Sequence, residues 1–220
     1  DGASYGVTKL TVNAPDTATK DITLTVKSDD ASVSKYAATG IVGDVLTFET
    51  NATATQTVVI KVGDAGVTAD GYTLTQPDFT AGKVTVTWTV SEDGYANTTG
   101  SQEITLTQKK ATAPTALTLT GEQGSGLTDA PTISNSDLLK HESAPVAVTS
   151  AEEKNTLNVE VTEAEGTTVS YTIEGAGDKA TDSAYIINSS DIGAKVTVTV
   201  TVKQANYADL VLKYEISVNA

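Results

Sequence analysis

A few side chains in this sequence could do chemistry, and their types and spacing limit what that chemistry is. Asp78 and Asp191 each stand a few residues before a glycine and a long run of alternating Val and Thr. Two carboxylates converging in one cleft would suit glycoside hydrolysis. These two fall in different halves of the chain, so each reads as a turn residue whose carboxylate accepts backbone N–H groups. Tyr95 and Tyr207 occupy matching positions just after those runs. An aromatic ring at a loop tip can stack on a glycan or a peptide, which makes Tyr95 and Tyr207 the candidate ligand-binding residues. The plainer alternative has each ring packing over the end of its own unit with the hydroxyl in water. Trp88 alternates with Val84, Val86 and Val90 and is therefore expected in a core. His141 sits in a polar stretch with no serine or acid that spacing pairs with it, which gives no triad.

Acids that could serve calcium are Asp29 and Asp30, Asp64, Asp70, Glu92 and Asp93, Glu152 and Glu153, and Glu163 and Glu165. None follows the EF-hand spacing or a nonapeptide Gly/Asp repeat. They read as scattered surface acids, so no metal site and no cofactor is expected, structural calcium being the one alternative left open. The triplets starting at Asn51, Asn97 and Asn188 match the glycosylation pattern at about the frequency a Ser/Thr-rich chain gives by chance.

Composition narrows the field further. The 220 residues carry 14 lysines, no arginine and 28 acids, a formal charge of -14. Such a chain has neither the positive field nor the guanidinium fork that nucleic-acid binding uses. With no cysteine there is no disulfide, thiolate metal site or thiol nucleophile. No apolar run approaches the roughly 18 residues of a membrane helix. The absence of Met and of a basic-then-apolar leader reads as a processed chain or a piece of a larger one. Lack of Cys and Met also removes the two most oxidisable side chains, which together with low pI fits exposure outside a bacterial cell.

The elements that must position these residues are strands. Val and Thr fill over a quarter of the chain, and Cβ branching suits a pleated, half-buried surface. Residues 83–106 and 195–218 align without a gap at one offset, 112 residues from Lys83 to Lys195. Val84, Val86 and Val90 meet Val196, Val198 and Val202, Tyr95-Ala96 meets Tyr207-Ala208, and Glu103-Ile104 meets Glu215-Ile216. Upstream, Tyr72 to Asp78 matches Tyr185 to Asp191 one residue out of register. Two domains follow, residues 1–110 and 111–220, with Lys109 to Pro114 as a short stiff linker. The period of two puts the valines inward and Thr85, Thr87, Thr89, Thr197, Thr199 and Thr201 outward, a register that a one-residue slip would invert. Further strands are expected over 7–12, 20–27, 44–49, 57–62, 71–75, 116–120, 156–161, 168–173 and 183–187, and a helical turn over 135–141. About seven short strands per unit is the pattern of a β-sandwich.

The run from Tyr72 through Asp78, Gly82-Lys83 and Asp93-Gly94-Tyr95, ending on a Thr/Gly-rich hairpin and Ala-Thr-Ala-Pro, resembles the immunoglobulin-like repeats of secreted bacterial surface proteins. Tyr185, Asp191, Gly193 and Lys195 fit the same pattern, with Ala194 inserted before the lysine. The resemblance covers about a third of the chain. It implies an all-β fold of two tandem immunoglobulin-like Greek-key sandwiches. It also implies a non-enzymatic spacer or adhesion module of a larger bacterial surface or secreted protein. The expected location is extracellular, the expected state monomeric, and the expected partners are cell-surface glycans or host or bacterial proteins. The second reading is a carbohydrate- or protein-binding module with its site in the loops at one end. Lys83 and Lys195 alternate outward, which argues against either being the amine of an intramolecular cross-link.

Overall fold

The structure is a computed structural model and describes residues 24–27, 32–34, 36–122, 132–133, 146–152, 156–176 and 184–219. The chain divides into two compact units, residues 1–107 and 108–220. The division falls a few residues before the expected boundary at 110, because the expected linker belongs to the second unit.

In unit 1 the strands are β1 (Leu24–Lys27), β2 (Ser32–Val33), β3 (Ala37–Gly40), β4 (Val45–Thr50), β5 (Gln56–Val62), β6 (Ala65–Gly66), β7 (Tyr72–Thr73), β8 (Lys83–Glu92) and β9 (Thr98–Gln108). One sheet has the order β1-β4-β7 and the other β2-β3-β9-β8-β5-β6. In unit 2 they are β10 (Ala116–Glu122), β11 (Thr132–Ile133), β12 (Val146–Glu152), β13 (Thr156–Thr162), β14 (Thr167–Glu174), β15 (Ala184–Ile186), β16 (Lys195–Gln204) and β17 (Leu210–Asn219). Here the orders are β11-β10-β13-β15 and β12-β17-β16-β14. From β13 to β14, β14 to β15 and β15 to β16 the chain changes sheet, and the hairpin β16–β17 that follows stays within one. Unit 1 repeats this from β4 to β9, with the two-residue strand β6 added beside β5 in the same sheet. This is the all-β, immunoglobulin-like sandwich expected from the repeat.

The alternation works as the pattern requires. Val196, Val198, Val200 and Val202 are fully enclosed, facing Leu157 and Val159 of β13 and Tyr185 of the opposite sheet. Burying a valine is worth about 1.5–3 kcal/mol, so this strand face alone is a large favourable contribution. Unit 1 closes a separate interior around Leu46, Leu74, Val84, Val86 and Ile104. Val84 and Val196 thus lie in two different cores. Outside, Lys83 Nζ meets Glu103 Oε2 at 2.6 Å across β8 and β9, and Lys195 meets Glu215 at the equivalent place in unit 2. Both lysines point outward, as their alternation indicates.

Two expectations need correction. Trp88 is half-buried rather than enclosed: it packs against the unit 1 core, and its ring lies over Gly100, its cross-strand partner on β9. The small neighbour gives the indole a floor to lie on, near the edge of the core rather than within it. The strand expected over 71–75 shrinks to Tyr72–Thr73, because the chain turns at once into a helix, α1 (Gln76–Ala81). That helix is entered with proline in its first turn and stopped by Gly82 in the left-handed region at φ 70°. In unit 2 the same connection is a single 3-10 turn, Ser189–Asp191. The shorter connection explains why the two halves slip by one residue between Asp78 and Lys83. The strand expected over 7–12, the helical turn over 135–141 and His141 lie outside the described residues.

Candidate functional site

The recurring aspartates are held by the fold. Asp78 accepts the Thr75 N–H at 2.8 Å and the Thr75 hydroxyl at 2.7 Å, reaching back over the first turn of α1. It also accepts the Tyr72 hydroxyl at 3.1 Å on both oxygens. Asp191 does the same in unit 2 and is completely buried. It accepts the Tyr185 hydroxyl at 2.9 and 3.0 Å, the Asn188 N–H at 3.0 Å and the Ala176 N–H at 2.8 Å. Burial pushes the Asp191 carboxyl up. The two N–H groups and the phenol more than offset that and hold it below the usual carboxylate value. In unit 1 the effect is visible on the other partner: burial, and then the Asp78 carboxylate, push the Tyr72 phenol up. Both aspartates act as the turn residues expected, and the tyrosine of each clasp is the partner that sequence reasoning missed. The signal was the shared spacing of six residues, Tyr72 to Asp78 and Tyr185 to Asp191.

Gly175 is part of the second clasp. A Cβ there would collide with the Tyr185 hydroxyl and an Asp191 oxygen. Only a residue without a side chain lets the end of β14 close over the buried carboxylate and deliver the Ala176 N–H.

The two candidate ligand tyrosines occupy the same turn and meet different surroundings. The Tyr95 N–H donates to Glu92 O, and the Tyr207 N–H to Gln204 O, each at 3.1 Å. Gly94 at φ 83° and Asn206 at φ 70° supply the left-handed residue that each turn needs. Tyr207 is half-buried and packs against the unit 2 core, which leaves less of its ring open to a ligand than Tyr95 has. The Tyr207 hairpin receives the expected linker. The Ala111 N–H donates to Ala208 O at 2.8 Å, the Ala208 N–H to Lys109 O at 2.9 Å, and Gln204 Oε1 accepts the Thr112 N–H at 2.8 Å. Ala111 is buried by this docking.

Tyr95 is 47% exposed. It borders an open groove of about 760 Å³ lined by Thr55, Thr57, Ser91, Glu92, Asp93 and Asn97. The pairing of β5 with β8 places Thr57 beside Ser91 and Gln56 beside Glu92. The Glu92 carboxylate is oriented on both oxygens, by the Thr55 hydroxyl at 2.7 Å and the Gln56 amide at 3.3 Å. Gln56 is anchored in turn by the Thr53 N–H at 3.1 Å. The result is a fixed acceptor beside an exposed ring.

Among the described residues no three Asp, Glu or His side chains gather where they could hold a metal ion. Of the calcium candidates, Asp29, Asp30 and Glu153 lie outside those residues. Glu163 accepts the Val169 N–H at 3.1 Å. Nor is any helix among them long and apolar enough to cross a membrane.

No protein-family model matches this chain, and no curated protein matches it in sequence. Solved structures do. A Bacteroides ovatus mixed-linkage glucan utilization locus protein, SGBP-B, in complex with a mixed-linkage heptasaccharide, is 10% identical over 92% of this chain and 71% of that chain, TM-score 0.25. The N-terminal Ig1-2 module of the Drosophila receptor protein tyrosine phosphatase DLAR is 10% identical over 91% and 100%, TM-score 0.27. The insect immune protein hemolin is 12% identical over 88% and 47%, TM-score 0.26. The sandwich assignment rests on the strand order and the two enclosed cores described above.

Proposed function

We propose that this chain is a non-catalytic spacer and adhesion module of a larger extracellular protein, carried at a bacterial cell surface or secreted from it. The observation behind this reading is how the backbone passes through unit 2. The chain comes in along the β16–β17 hairpin, where Lys110 bridges Ala208 in parallel, and goes out past Asn219 at the far end of β17. Ten strand residues at about 3.3 Å each separate these points by roughly 30 Å. β12 also runs parallel to β17. Tension applied to the N-terminal side of the docked segment and to the end of β17 pulls parallel neighbours in opposite directions. The two backbone hydrogen bonds at Ala208 are then loaded together, in shear, rather than opened one at a time. The recurring Asp, Tyr, Lys and Glu side chains are engaged in clasps and cross-strand pairs, which fits a structural part better than a catalyst.

Single-molecule extension of the whole chain, held at its two ends, tests this. Unit 2 is expected to yield in one abrupt rupture that lengthens the chain by roughly 350–370 Å, from the extended reach of its residues less the folded span. Gradual lengthening without a rupture would reject the spacer role.

A further inference from the structure

We propose that the groove beside Tyr95 is a binding site for a neutral oligosaccharide, present in unit 1 and lost in unit 2. The comparison of the two units carries this. At one turn of the same fold, unit 2 has Lys203-Gln204-Ala205, and its glutamine is spent holding Thr112. Unit 1 has Ser91-Glu92-Asp93, and its glutamate is held by the Thr55 hydroxyl and the Gln56 amide. Tyr207 packs against its own core, whereas Tyr95 is exposed and lines the groove.

A sugar ring has a C–H face that stacks on an aromatic side chain and a rim of hydroxyls that donate to carboxylates and exchange hydrogen bonds with Thr, Ser and Asn. The groove offers one surface for each: the Tyr95 ring for the face, and Glu92, Asp93, Thr57, Ser91 and Asn97 for the rim. A hydrogen bond to an ionised acceptor is stronger than a neutral one, and an acceptor already oriented loses less freedom on binding. Its volume, about 760 Å³, is within the range of small-ligand sites. The two carboxylates and the overall charge of -14 repel anionic glycans such as uronic-acid polymers. We commit to uncharged sugars as the class, with cationic amino sugars, which the same carboxylates would attract, as the competing occupant that the test separates. This site stands apart from the spacer role, and failure of either leaves the other intact.

The test is native affinity electrophoresis of the whole chain in gels cast with dextran, starch, glucomannan or xyloglucan, with heparin and chitosan oligomers as charged controls. At least one neutral polymer should retard the protein. Tyr95→Ala and Glu92→Gln, both at exposed or partly exposed positions, should each weaken that retardation tenfold or more, while Tyr207→Phe leaves it unchanged. A soluble oligosaccharide from the retarding polymer should shift backbone amide resonances within residues 53–57 and 91–98. No retardation by any neutral polymer would overturn the proposal. So would retardation by chitosan or heparin alone, which marks a simple charge site, and so would retardation indifferent to Tyr95→Ala.

Discussion

Asp191 shows how one residue's surroundings set its chemistry. A carboxylate removed entirely from water is costly unless its oxygens are satisfied, and here a phenol and two backbone amides satisfy them. Because its folded pKa lies below the ordinary value of about 3.9, the stabilisation is complete above that pH and is lost as pH falls through the folded value. Asp191→Asn preserves the shape and removes the titration. Urea unfolding between pH 7 and pH 2 should therefore show unit 2 of the unmodified chain losing stability faster below about pH 4 than the variant does. Parallel curves would remove this role. The aspartate as a turn residue could be read from Asp-before-Gly chemistry. For its tyrosine the sequence offers only the repeated spacing of six residues, because the contact itself depends on a short helix in one unit and a 3-10 turn in the other, both too brief to leave a periodic signature.

Among the elements, the long strands were legible and the short ones were not. β8 and β16 announce themselves by strict Val/Thr alternation, and their register with β9 and β17 follows from which face is apolar. β12, β3 and α1 have no such pattern: they are short or irregular and are recruited by the sheets and core they complete. Trp88 lies between these cases. Its side of the strand was correct, and its depth was not, because depth depends on Gly100 across the ladder. Full enclosure of a large side chain makes its removal cost about 3–5 kcal/mol, and the half-buried ring should cost less, about 2–3 kcal/mol for Trp88→Ala. Gly100→Ala, which displaces the ring without removing it, should cost about 1–3 kcal/mol. Chemical denaturation of both variants checks this; a Gly100→Ala protein as stable as the parent would show that the ring does not rest there.

At the scale of the whole molecule, the repeat was visible in the C-terminal third of each half and the boundary only approximately. The reason is physical: Lys109 to Thr112 have linker composition, yet their backbone groups pair with the β16–β17 hairpin, and nothing in their side chains announces it. Each unit has its own core, so damage to one core is expected to stay local. Tyr185→Phe, which removes the hydroxyl from a buried carboxylate, should cost about 1–3 kcal/mol. Hydrogen exchange should place that loss in residues 108–219 and leave residues 36–107 at their original protection. Equal loosening of both units would mean that they unfold as one.

The single indole of the chain sits in unit 1, on β8. Ultraviolet emission excited at the red edge of tyrosine absorption therefore reports on one half of the molecule and is silent about the other. Circular dichroism sees both halves. Recorded together on the same sample, the two signals separate the melting of each unit with no label attached.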